Sequence, residues 1–329
     1  MKLFSLLASL LILTSCTNKS QKEVWIYTST YREVLALYEP GLQKAFPDVK
    51  IQWFQAGSEN VASKLQAELA GGKPQADLVM TSDLFFFQEL KKQGQLLTLS
   101  DSKNIAKLPA NAVDPDRAFA VSRYPVMVLA WNEKLPEKDR PKSFKDLLKP
   151  ELKGKLTMPS PMESGSALTA VMFLHKMFGD SFFKDLRAND MLAGGGNGAA
   201  MARLQSGERL AGLVLMENIL QAQEKGLKSV QFTIPSEGAL PIPSPMAVLK
   251  GSDEPALAQQ VFDWFLSDEA QATLIKGWVY SGIEGSPAPA GAPAWNALKM
   301  ASWDLPTFQT WSAERQKVKD LFQQTVLSQ

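Results

Sequence analysis

Val24-Trp25-Ile26-Tyr27-Thr28, followed by Ser29-Thr30-Tyr31 and then by apolar residues at Val34, Leu37, Tyr38 and Leu42, reads as a strand, a polar turn and a helix. β-Branched and aromatic residues suit a covered, pleated strand. The spacing after the turn lays one apolar stripe along a helix. The same order recurs twice. Lys50-Ile51-Gln52-Trp53-Phe54 runs through Gly57-Ser58-Glu59-Asn60 into a predicted helix at 61–69. Ala76-Asp77-Leu78-Val79-Met80 runs through Thr81-Ser82-Asp83 into a helix containing residues 87–92. Three such units imply an α/β fold with a parallel sheet, and ligands collected at the carboxyl ends of its strands.

The pattern changes after residue 117. Residues 118–121 and 126–131 are extended and apolar, and a Pro- and Lys-rich loop follows at 135–142. Ser143 predicts the N-cap of a short helix at 144–148. A strand at 155–158 leads through 159–166 into a helix at 167–178. Gly194 to Gly198 opens another helix at 199–204, and 210–215 is a strand. The proline-dense Leu240-Pro241-Ile242-Pro243-Ser244-Pro245 is a stiff, extended crossing. Residues 246–249 and a helix at 255–266 return the chain to its first half. The expectation is two α/β lobes, residues 23–120 plus 246–329 and residues 121–245, around a hinged interdomain cleft.

The chain has a single cysteine, Cys16, at the end of Leu13-Thr14-Ser15-Cys16. Lys2 gives a basic start, 3–13 is mostly apolar, and small residues precede the cysteine. That order predicts a secretory signal peptide at 1–15, too short and wrongly flanked for a spanning helix. The stretch resembles a bacterial lipobox, in which the cysteine is acylated and becomes the first mature residue. An ordinary cleavage site with a leftover thiol is the alternative. Residues 16–22 then read as a polar tether. Without Lys2, 34 of the 35 basic side chains remain against 34 acidic ones. A net charge of zero indicates no nucleic-acid partner and no polybasic membrane surface. No second apolar run has spanning length, so the lipid is the expected membrane attachment, in the periplasm or cell envelope.

A set of motifs spans the chain in order. TST follows the first strand, then come GSENVASKL, QADLVMTSD and PKSFKDLLKPELKGKLTMPSP. MESGSALTA, SGERLAGLVL and SDEAQATL complete the set. On these the chain resembles the periplasmic solute-binding proteins of ABC importers, in the cluster with the ferric-binding proteins (type II fold). The resemblance implies a monomeric receptor, without cofactor, that hands a small solute to a membrane permease.

In the ferric branch an adjacent tyrosine pair, a His, a Glu and a phosphate hold the iron. Here none of the five tyrosines are adjacent, and Met216-Glu217-Asn218 stands where the pair would follow its strand. The one histidine, His175, lies in an apolar helix and reads as a core or boundary residue. The pattern therefore gives no metal site. The anion half is present: Ser164-Gly165-Ser166 matches the family's phosphate-holding turn, and Asn197 opens a second helix. Backbone N–H groups at a helix start lack partners and carry the positive end of the dipole. Ser29, Thr30, Ser58 and Ser82 offer hydroxyls from the other lobe. Taken alone, each turn is accounted for by helix capping; five at strand-to-helix junctions, together with the resemblance, point to a shared anion site.

Glu217 in place of the tyrosine pair implies a polar organic moiety on the phosphate, either a sugar or an aminoalkyl group, since a carboxylate accepts from hydroxyls or pairs with an ammonium. A helix-start carboxylate is the competing account of Glu217 and of Glu59. Arg123, just past the first crossing, matches phosphate bidentately or forms a hinge salt bridge. The expected ligand is thus a sugar phosphate or phosphonate. Ferric binding through a rearranged site, and a co-receptor role for a membrane sensor kinase, stand as alternatives. No nucleophile elbow, Cys/His couple or metal cluster argues for an enzyme.

Overall fold

A computed structural model describes residues 21–327. The signal peptide, Cys16 and most of the tether lie outside the described residues. The strand predicted at the start is longer than expected, because Lys22 already pairs with Val49.

The first lobe opens with β1 (Lys22–Thr28), α1 (Arg32–Ala45), β2 (Val49–Gln55), α2 (Ser58–Ala70), β3 (Leu78–Met80) and α3 (Leu84–Lys92). β1 lies between β2 and β3, parallel to both, as the three strand–turn–helix units require. Phe85, Phe86 and Phe87 at the start of α3 are all buried, and Asp83 caps that helix by accepting from the N–H groups of Phe85 and Phe86. After this come β4 (Ala120–Tyr124) and β5 (Val126–Asn132), separated only by Pro125. β4 belongs to the first sheet and β5 to the second. The crossing therefore falls at Pro125 rather than after residue 120, because Ala120 to Arg123 pair with the returning strand.

The second lobe holds β6 (Leu156–Met158), α4 (Gly165–Phe178), α5 (Asp180–Ala188), β7 (Leu192–Ala193), α6 (Asn197–Ser206), β8 (Ala211–Leu215), α7 (Met216–Glu224), β9 (Val230–Thr233) and β10 (Leu240–Pro241). Its sheet runs β10-β5-β8-β6-β7, with β9 also on β5. Gly212 is obligatory on β8: a Cβ there would sit 1.8 Å from the Thr157 carbonyl oxygen of β6. Ser143 does cap the short turn of helix at Phe144–Leu148, in a capping box with Asp146.

Back in the first lobe are β11 (Ser244–Val248), α8 (Pro255–Phe265), α9 (Asp268–Lys276) and β12 (Tyr280–Ser281). The first sheet reads β2-β1-β3-β11-β4-β12, so Ser244 and Pro245 lie inside it rather than in the crossing. The tail, α10 (Leu305–Ser312) and α11 (Arg315–Phe322), corrects the expectation that 246–329 is wholly first-lobe. Met300 bridges to Ala239 of the second lobe. Phe308 of α10 lies 5.3 Å from Phe85 of the first lobe and 5.7 Å from Phe173 of the second, ring centre to ring centre. Phe322 of α11 then packs on Phe183 at 5.7 Å. The tail is a strap across both lobes. Its apolar ridge, spaced for a helix, is shared between two cores rather than committed to one.

Candidate functional site

A cavity of about 170 Å³ lies between the lobes, at the carboxyl ends of the strands. From the first lobe, Ser29 and Thr30 after β1, Ser58 at the start of α2, and Ser82 after β3 line it. From the second, Ser164 and Ser166 at the start of α4, Asn197 at the start of α6, and Glu217 at the start of α7 face them. Arg123 of β4 closes the inner wall. All but Arg123 come from junctions where a strand ends and a helix begins, which is why residues far apart in sequence converge here.

The hydrogen bonds leave donors for the cavity. Ser164 Oγ caps α4 by accepting from the Ala167 N–H, and lies 2.9 Å from Ser166 Oγ. Asn197 Nδ2 donates to both hydroxyl oxygens, at 3.1 and 2.9 Å. Two hydroxyl protons serve one bond between the two serines, so one O–H remains to donate elsewhere. The N–H groups of Gly165 and Ser166, in the first turn of α4, bond no described residue. Across the cleft, Ser29 Oγ accepts from the Ser82 N–H, Ser82 Oγ from the Ser244 hydroxyl, and Thr30 Oγ1 from Thr28. All three keep their own hydroxyl proton. The cavity gathers O–H and N–H donors, as an oxyanion requires, with the carboxyl groups of Glu163 and Glu217 also on its wall.

Arg123 supplies the positive charge. It is 4% exposed and forms no hydrogen bond or ion pair with a described residue, so the hinge salt bridge is not its role. Burial draws its pKa down to about 10. An unpaired guanidinium in an enclosed site costs free energy unless an anion joins it. Glu217 is 5% exposed, and burial pushes its carboxyl up to about 7; the amides of Glu217 and Val126 and the charge of Arg123 pull the other way. It is both the helix-start carboxylate and a wall of the cavity.

Two predicted residues are elsewhere. Glu59 is turned to the tail, where Arg315 and Lys319 hold it at 3.2 and 2.6 Å. Gly165 is where the lobes touch. A Cβ there would meet Asp83 Cβ at 2.6 Å, the Ser82 oxygen at 2.8 Å and Ser58 Cβ at 2.9 Å. Gly57 meets the Glu163 carbonyl in the same way, at 2.7 Å, so the cleft is closed. Tyr31 is a wall residue that sequence reasoning had counted only as one of five tyrosines. Its hydroxyl donates across the cleft to Asn218 Oδ1 at 3.3 Å. Its place directly after Ser29-Thr30 was the available signal. Tyr27 is spent on Glu68, and Tyr124 and Tyr280 lie on the far side of β4 and β12. Tyr38 packs on Trp264 and Phe265, so among the described residues Tyr31 is the one tyrosine that lines the cleft. His175, in the last turn of α4, bonds Asp180 of α5 at 2.7 Å, at the opposite end of the helix from Ser164.

Residues 73–305 match the model of the bacterial extracellular solute-binding protein family. The chain belongs to that family. This solute-binding protein is 26% identical over 285 residues to an uncharacterised protein of Haemophilus influenzae, covering 82% of this chain and 80% of the relative. Its fold is similar to the periplasmic binding protein AfuA of Actinobacillus pleuropneumoniae, solved with fructose-6-phosphate. The TM-score is 0.83 at 22% identity, over 94% of this chain and 100% of the other. It is also similar to iron-bound HitA of Pseudomonas aeruginosa, with a TM-score of 0.80 at 23% identity, over 91% and 99%. These likenesses establish the two-lobed type II periplasmic binding fold. The protein is a receptor of the ABC-importer class that works outside the cytoplasmic membrane, and not an enzyme.

Proposed function

We propose that this solute-binding protein captures a small phosphorylated organic solute, a sugar phosphate or a phosphonate, and delivers it to an ABC permease. The observation that carries the reading is the buried guanidinium of Arg123, unpaired by any described residue, on a cavity that also gathers O–H and N–H donors from both lobes. The phosphoryl group occupies the start of α4, with Ser164, Ser166, Ser29, Thr30 and Ser58 around it. Glu217 accepts from a hydroxyl or ammonium on the organic part. The fructose-6-phosphate bound to the similarly folded AfuA supports this chemistry. The single tyrosine on the cleft wall speaks against ferric iron. Acylation at Cys16 keeps the receptor at the membrane.

The test is a thermal-shift panel of hexose phosphates, free hexoses, glycerol phosphates, phosphonates, inorganic phosphate and ferric iron. At a thousandfold excess over the dissociation constant a ligand stabilises by about 4 kcal/mol. A phosphorylated compound should raise Tm by several degrees, and its unphosphorylated counterpart should not. Equal response to free sugar, or response to iron alone, overturns the proposal. Ser164→Asp should abolish the response by placing a carboxylate against the phosphate. Mass spectrometry of the membrane fraction tests the anchor: the acyl mass should vanish in Cys16→Ala.

A further inference from the structure

The strand that brings Arg123 to the cleft turns its other side to a second and larger cavity. Successive strand residues point to opposite faces. Arg123 therefore lines the cleft, while the next residue of β4, Tyr124, paired with Tyr280 of β12, lines the space behind it. This second cavity measures about 570 Å³ and lies outside the ligand site described above. Its walls are aromatic. Tyr124 stands 5.1 Å from Trp295 and 5.5 Å from Trp303, ring centre to ring centre, and Tyr280 stands 5.3 Å from Trp295.

Two features mark it as more than a packing defect. Tyr124 is 5% exposed, yet its hydroxyl bonds no described residue, and burial alone raises its pKa. Tyr280, beside it, is satisfied: its hydroxyl donates to the Pro293 carbonyl at 2.7 Å. The hydroxyl oxygen faces the cavity rather than the packed core, so it is free to bond what enters. The second feature is charge. Glu284 is the one acidic side chain on the lining, it pairs with no described cation, and no Lys, Arg or His lines the cavity. Aromatic faces attract cations through their quadrupole, and a lone carboxylate fixes where the charge sits. An anion finds no positive group here, and a metal ion finds no second carboxylate.

We propose that this cavity binds an organic ammonium ion with a flat apolar body, its body between the tyrosine and tryptophan rings and its charge toward Glu284. Tyr124 donates to, or accepts from, a polar group at the inner end. The site is independent of the anion site, although it shares β4 with it. The Tyr280 hydroxyl also reaches 3.9 Å from the sulfur of Met216, the residue before Glu217, so the two sites stand back to back.

The experiment is calorimetric titration of the purified protein with 2-phenylethylammonium and, as a neutral counterpart, 2-phenylethanol. Saturable binding of the ammonium is expected, with the alcohol at least about fivefold weaker. Glu284→Gln and Trp295→Ala, both at exposed positions that the fold tolerates, should each weaken the ammonium by a similar factor. Ser164→Asp, which disables the anion site, should leave it unchanged. Absence of saturation by the ammonium at 20 mM overturns the proposal. Equal binding of the alcohol, or an unaltered affinity in Glu284→Gln, also overturns it.

Discussion

Glu217→Gln separates the electrostatic cost of the site from its shape. In the folded protein burial moves this carboxyl from 4.5 to about 7, while the unfolded chain keeps it near 4.5. Between those values the folded state holds a proton that the unfolded state has lost. Stability therefore falls as pH rises through the window from about 4.5 to about 7. Below it both states are protonated and there is no cost; above it the full cost is present. At about 1.4 kcal/mol per pH unit, the full cost is about 3 kcal/mol. Glutamine has nearly the same shape and never ionises, so the variant should match wild type at pH 4.5 and exceed it by about 3 kcal/mol at pH 8. At roughly 2 °C per kcal/mol in a chain of this size, that is a Tm difference of about 6 °C. Urea unfolding or thermal melts of both proteins across this range measure it, and groups common to both cancel in the difference. Parallel profiles, or a difference that shrinks with rising pH, would refute the reasoning.

Other perturbations follow from the same geometry. Arg315→Ala leaves Asp83, with no exposed side-chain surface, and Glu59, 13% exposed, beside each other without their main cation; a loss of about 3 kcal/mol is expected in chemical denaturation. Gly165→Ala inserts a methyl where the lobes touch. It should weaken solute capture by about ten- to a hundredfold in titration calorimetry, since overpacking costs 1–3 kcal/mol, and small-angle scattering should report a more open particle. Tyr31→Phe removes the cross-cleft bond to Asn218 and should weaken capture about fivefold without lowering Tm of the free protein by more than about a degree. Arg123→Met should abolish capture while raising the stability of the empty protein, because it removes an unpaired buried charge.

The parts of this fold that were legible were those in which local pattern and tertiary role agree. β1, β2 and β3 alternate or run apolar and are followed by turn residues and a 3–4 repeat, so their units can be read from the chain. The site was legible for the same reason: eight of the eleven nominated residues stand on strand-to-helix junctions that line the cavity, and Arg123 joins them from β4. Glu59 misled because a glutamate in the first turn of a helix looks the same whether it faces a ligand or a distant arginine. Its partners, Arg315 and Lys319, are about 260 positions away, and no local pattern carries that distance. The strap was opaque in the same way. Residues 305–322 have an ordinary amphipathic spacing, which says that a face is buried but not against which of two cores. The lobe boundary was displaced by a few residues because Val121 and Val126 are equally apolar; only pairing distinguishes the sheets they enter.

Asp83 ties these features into one device. It caps α3, its carboxylate takes the Arg315 guanidinium at 2.8 Å, and its Cβ lies against Gly165 of the facing lobe. The next residue back, Ser82, lines the anion site. Opening the cleft must therefore pull the start of α4 away from the same residue that anchors the strap. The strap itself is bonded to α4, through Lys176 to Glu314 at 2.6 Å and through Phe173 to Trp311 at 5.1 Å. A rigid separation of lobes would break the Asp83–Arg315 pair or the α4–α11 contacts, and the first costs more because it strands a buried carboxylate. The strap is thus expected to stay with Asp83 and slide on the apolar face of α4. That sets the direction of opening: a rotation about the two peptide crossings at Pro125 and Pro243, with α10 and α11 as the bearing surface rather than as a third hinge strand.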